Sequence, residues 1–208
     1  MKGILKNDFY SVMEYCRMIF AVIVVFIIIG VTQHNVLFMT LYPLLMLSII
    51  PVSILSVDER FGWDKYMLTF PITKKDYVTS KYLLNIILTG LGSVVIFVLS
   101  VLMKFDVKST LVSSVLLIAF SLVYNGTLLP FMFRFGVVKG KIIYMVSFFI
   151  WGALFGGMSG LFYSENANTS GLYNNFSAGL AGLILVFAVV IYTLSWFISA
   201  KVYNKRNV

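Results

Sequence analysis

Residues 18–57 form a run of 40 positions without a single Asp, Glu, Lys or Arg. As one α-helix this run would extend about 60 Å at ~1.5 Å per residue, roughly twice the hydrocarbon thickness of a bilayer. It must therefore fold back. The break falls at Thr32-Gln33-His34-Asn35, the most polar point in the run. This predicts two spans, about 18–31 and 36–57, joined by a tight connection. The rest of the chain is similar: of 208 residues, 60% are hydrophobic and 12% charged, and the mean hydropathy is +0.96. A water-soluble domain of this size has too much surface to hide such a load, so the bilayer must be the solvent for most of it.

The remaining apolar runs predict four more spans, about 82–103, 109–133, 142–163 and 176–200. The expected architecture is an all-α membrane protein, a single transmembrane domain over 1–208 with six transmembrane helices. A short turn (104–108), a small basic loop (134–141) and a polar stretch (164–175) separate spans 3 to 6. With six spans, 14 of the 16 Lys and Arg fall on one side, and only Lys104 and Lys108 on the other. The positive-inside rule then places both termini in the cytoplasm of a cell membrane. The net charge of +8 belongs to this flanking pattern and to anionic lipid headgroups, not to nucleic acid. Asp8 and Glu14 precede the first apolar run, and no small-residue cleavage site follows it, so the N-terminus does not read as a secretory signal.

Leu5, Phe9, Val12, Met13 and Cys16 recur at helical spacing, with Lys6, Asn7, Ser11 and Glu14 elsewhere. They predict an amphipathic helix lying in the cytoplasmic interface before span 1. It serves either as an anchor in membrane lipid or as an elbow that also touches a cytoplasmic partner.

Polarity is concentrated in residues 58–81, which hold nine of the 24 charged side chains between two long apolar runs. The segment divides at Pro71. Before it, Asp58, Glu59 and Arg60 open a stretch that can be helical. After it, Thr73-Lys-Lys-Asp76 has capping-box spacing, which predicts a helix starting near Thr73 and running into span 3. Phe61, Trp63, Tyr66 and Met67 are a heavy apolar load for an exposed loop. Two readings are open: the aromatics dip into the headgroup region, or they dock a protein partner.

The residues of this loop resemble the cytoplasmic loop between helices 2 and 3 of ABC-2-type transporter permeases. The matching elements are Asp58-Glu59-Arg60, Trp63, Leu68-Thr69-Phe70-Pro71, Lys74-Lys75 and Lys81-Tyr82-Leu83-Leu84. Six spans, cytoplasmic termini and an N-terminal interfacial helix match in layout. The chain is similar in size to the small permeases of bacterial peptide exporters, such as the phenol-soluble modulin exporter. The resemblance implies that the first part of the loop is a coupling helix seated in a separate P-loop ATPase subunit. Asp58, Glu59, Arg60, Phe61, Trp63, Lys65, Tyr66 and Met67 would form the contact. It also implies a second permease copy, identical or related, and ATP with Mg on the partner rather than on this chain. No G-x-x-x-x-G-K-[ST] phosphate loop occurs in the sequence.

Gly152, Gly156, Gly157 and Gly160 in span 5 predict a close helix contact or a broken helix end. After them, re-entrant helices over about 156–175 are a further expectation from the resemblance. Pro43, Pro51 and Pro130 are expected to bend their helices. The span interiors carry no Asp, Glu, Lys or Arg. That argues against an ion pathway and for an apolar or amphipathic cargo, such as a toxin or antimicrobial peptide. Asn85, Thr89 and Asn125 are the main interior polar groups, expected to bond between helices. With one Cys and one His there is no metal-ligand cluster and no catalytic constellation. This weighs against the two rival readings, a membrane-embedded enzyme and a passive scaffold, only in the case of the enzyme.

Overall fold

The computed structural model describes residues 2–32, 36–63, 66, 73–104, 107–162 and 178–205. Among them the protein is entirely helical: α1 (Lys2–Tyr15), α2 (Arg17–Thr32), α3 (Val36–Arg60), α4 (Lys74–Leu102), α5 (Val107–Phe162) and α6 (Ala178–Lys205). Many of these helices are rich in Ile, Val and Phe, residues with modest helix propensity in water. In a bilayer the choice is forced, because every backbone N–H and C=O must be satisfied within the segment.

Among the described residues four stretches are long and apolar enough to cross a membrane: Tyr42–Arg60, Lys74–Leu102, Thr110–Gly136 and Ala181–Asn204. A fifth is reached if α1 and α2, bent by 67° at their junction, count as one broken span. The start of α4 follows the sequence closely. Thr73 is its N-cap, its hydroxyl accepts from the Asp76 N–H, and Asp76 reaches back to the Thr73 N–H.

One expected loop is absent. Residues 134–141 are not an irregular loop, because two helices meet at a single break at Gly136 (φ 76°, ψ 167°). That conformation is open essentially to glycine alone, so one residue redirects the chain where several were expected.

The bundle is built inside out. On α4 the residues facing the protein include Tyr77, Lys81, Asn85, Thr89, Ile96 and Ser100. Ile86, Ile87, Leu91, Val94, Val95 and Val98 face outward. On α6, Ala188, Tyr192, Ser195, Ser199 and Tyr203 are buried, while Leu183, Phe187, Leu194 and Phe197 are exposed. Apolar residues outside and polar ones inside are what lipid as solvent selects.

Helix α5 packs along α6, α3 packs against α2, α4 and α5, and α1 lies across α4, α3 and α2. The polar interior is a connected network. Asn125 Nδ2 donates to Asn85 Oδ1 (3.1 Å) and to the Ser48 carbonyl (3.0 Å). Tyr192 donates to the Tyr82 carbonyl at 2.8 Å, and the Tyr82 hydroxyl bonds both Ser195 (2.8 Å) and Ser199 (2.7 Å). Asn85 and Asn125 therefore bond between helices as expected, whereas Thr89 donates to the Asn85 carbonyl of its own helix.

Candidate functional site

The expected docking segment begins where α3 ends. Beyond Arg60 the chain turns, with Gly62 in the left-handed region (φ 66°) and its N–H bonded to the Glu59 carbonyl at 3.2 Å. The Tyr66 N–H then reaches the Gly62 carbonyl at 3.3 Å. Positive φ at Gly62 lets the α3 helix stop and a new direction start within two residues.

The turn separates the aromatic residues. Trp63 is half-buried and packs on an internal cluster that includes Tyr77, Phe133 and Tyr203. Those three rings form a closed set with centroids 6.2, 5.6 and 5.3 Å apart, joining the start of α4, the stretch of α5 before Gly136, and the end of α6. Phe61 and Tyr66 instead point outward, 63% and 66% exposed. In a regular helix the i, i+3 spacing of Trp63 and Tyr66 would put them on one face; the structure gives Trp63 to the interior and leaves Phe61 and Tyr66 on the surface. Glu59 is half-buried and Arg60 exposed. Lys65 and Met67 lie outside the described residues.

Directly beneath this turn lies a buried ionic triad. The Lys81 ammonium is 2.6 Å from Asp8 Oδ1 and 2.6 Å from Asp58 Oδ2. The Tyr77 hydroxyl donates to the same Asp58 oxygen at 2.9 Å, and the ammonium stands 5.0 Å from the centre of the Tyr77 ring. All three ionised residues are buried, Lys81 completely. Two carboxylates against one ammonium leave the cluster short of positive charge. Burial raises the Asp8 carboxyl above the ordinary aspartate value of 3.8; the charge and hydrogen bond of Lys81 oppose that rise, and the charge of Asp58 adds to it.

A family model described as "ABC-2 family transporter protein" matches residues 3–204. The chain belongs to that family. No curated protein and no solved structure gave a match. As the membrane component of an ABC-2 transporter, it places its most polar buried cluster next to the segment that enters residues 61–66.

Sequence reasoning missed the triad. Lys81 falls one residue before the expected span 3, and Asp8 enters the sequence reading only as a charge ahead of the first apolar run. A usable signal existed in Tyr77, Lys81, Asn85 and Thr89, which recur at i, i+4 and mark an inward polar stripe on α4. Helix α1, expected to lie in the interface, is likewise rotated from its apolar pattern. Asp8, Val12 and Cys16 are buried against the bundle, while Phe9 and Met13 are exposed; the side chain of Leu5 lies outside the described residues. Gly152, Gly156, Gly157 and Gly160 fall within the helical run of α5, and their packing also lies outside the described residues. So does everything from 163 to 177, where re-entrant helices were expected. Among the described residues no group of three or more His, Cys, Asp or Glu could hold a metal ion.

Proposed function

We propose that this chain is the permease subunit of an ATP-driven exporter of a bacterial cell membrane. It spans the bilayer six times with both termini in the cytoplasm and works as a dimer of permeases. A separate P-loop ATPase supplies ATP and Mg. Closure of the ATPases would push the segment around residues 58–67 and rearrange the spans. The expected span interiors carry no Asp, Glu, Lys or Arg, which suits an amphipathic or hydrophobic cargo, such as a toxin or antimicrobial peptide.

The family match over nearly the whole chain carries the transporter part of this reading. The observation that favours docking at the turn is the division of its aromatics. Trp63 packs on the bundle, and Phe61 and Tyr66 are left exposed, as an interface anchor must be before its partner binds.

The experiment is co-purification with the ATPase. Losing an aromatic anchor at an interface hot spot typically costs about 2 kcal/mol or more, roughly thirtyfold in affinity. Tyr66→Ala together with Phe61→Ala should therefore weaken ATPase capture while leaving insertion intact. Trp63→Ala should weaken capture as well, but with a loss of thermal stability that the first pair does not show. Normal capture by the Phe61/Tyr66 variant would return these residues to a headgroup-anchoring role.

A further inference from the structure

The triad joins parts of the chain that are far apart in sequence. Asp8 belongs to α1, Asp58 to the last turn of α3, and Lys81 to the start of α4. Each carboxylate uses an oxygen at 2.6 Å from one shared ammonium. Withdrawing α4 would leave two buried carboxylates without their counter-ion, and withdrawing α1 or α3 would part that helix's carboxylate from the ammonium it is buried against, which is costlier than losing an exposed pair. Apolar packing reinforces the same joint: Val12 of α1 and Cys16, at its junction with α2, share a buried cluster with Ile54 of α3 and Leu84 of α4. The other described charges near α1, Lys6 and Glu14, are exposed, and Glu59 beside Asp58 is half-buried. None of them replaces Lys81 inside.

We propose that Lys81 is a positioning residue that makes α1, the end of α3 and the start of α4 one mechanical unit. A displacement received at residues 61–66 then moves the interfacial helix together with α3 and α4. That such a displacement arrives from an ATPase rests on the function proposed above; the unity of the three helices does not.

The test measures distances between nitroxide labels in the full chain in nanodiscs, in a Cys16→Ser background. Labels replace Tyr10 on α1 and Lys75 on α4, both exposed. The expected result is one narrow distance peak. Lys81→Met keeps the length of the stem and removes the charge, and the narrow peak should be lost. The triple variant Asp8→Asn, Asp58→Asn, Lys81→Met leaves no unpaired buried charge but also no ionic tie, and the peak should stay broader than in the wild type. A narrow peak in Lys81→Met would overturn the proposal, and so would a narrow peak in the triple variant, which would trace the broadening to unpaired carboxylates alone.

A second arm uses the unsubstituted triad and stands even if Lys81→Met does not insert. In the complex with the co-purified ATPase, a non-hydrolysable ATP analogue should leave the Tyr10–Lys75 distance unchanged. It should shift the distance from Tyr10 to a label at Val190 on the outer face of α6. A change in the Tyr10–Lys75 distance would overturn the single unit. If the nucleotide moves no pair while the charge variants behave as expected, the triad stands and the ATP-driven function fails.

Discussion

Removing a lysine ammonium from water costs several kcal/mol unless anions replace its hydration shell, and Lys81 has two carboxylates in that place. Deleting the cation alone is therefore much worse than never having the cluster. Lys81→Met should destabilise the protein by about 3–5 kcal/mol, seen as a lower unfolding midpoint in mild detergent. Asp8 carries a second expectation. Its folded pKa is raised, because burial and the Asp58 charge outweigh Lys81 and a hydrogen bond from Ser80. The folded state therefore binds the Asp8 proton more tightly than the unfolded chain does. The stability this contributes is fully present below 3.8 and is lost as pH rises through the folded value. Unfolding midpoints followed from acid to neutral pH should show this loss in the wild type, and Asp8→Asn should remove that part of the slope. The residue scale is also where the sequence was least legible. An ion pair between positions 8 and 81 depends on how α1 lies across α4, and no local spacing encodes it.

Helix boundaries were more legible, because their causes are local. The capping box at Thr73 and Asp76 can be read in four residues, and it is formed as read. The polar break after Thr32 coincides with the end of α2. The expected loop at 134–141 failed for an equally local reason. Basic residues in a short interval suggest a solvated connection, but Gly136 alone changes the chain direction, and helix resumes immediately. Since φ 76° with ψ 167° is nearly closed to residues with a Cβ, Gly136→Ala should cost on the order of 1–3 kcal/mol. Thermal unfolding would show it, with Gly126→Ala as the comparison. A Cβ at Gly126 would meet Tyr192 at an ordinary 3.6 Å, so that change should be nearly silent.

At the scale of the whole molecule, composition established the solvent, and the solvent established the inside-out pattern seen on α4 and α6. What composition could not supply is the number of crossings. Among the described residues four helices qualify by length and apolarity, five with the bent α1–α2 pair, while six rests on the charge distribution of the proposed topology. That distribution is strong enough to test directly. With six spans, 14 basic residues share one side with both termini, and two lie opposite; moving the count by one span mixes them and removes the bias that orients insertion. The test uses single cysteines at Lys74 and at Asn168 in a Cys16→Ser chain. In intact cells a membrane-impermeant maleimide should label Asn168→Cys and spare Lys74→Cys. In inverted vesicles the pattern should reverse. Labelling of both positions from the same side would remove the six-span topology, and with it the cytoplasmic placement of Phe61 and Tyr66 on which docking to an ATPase depends.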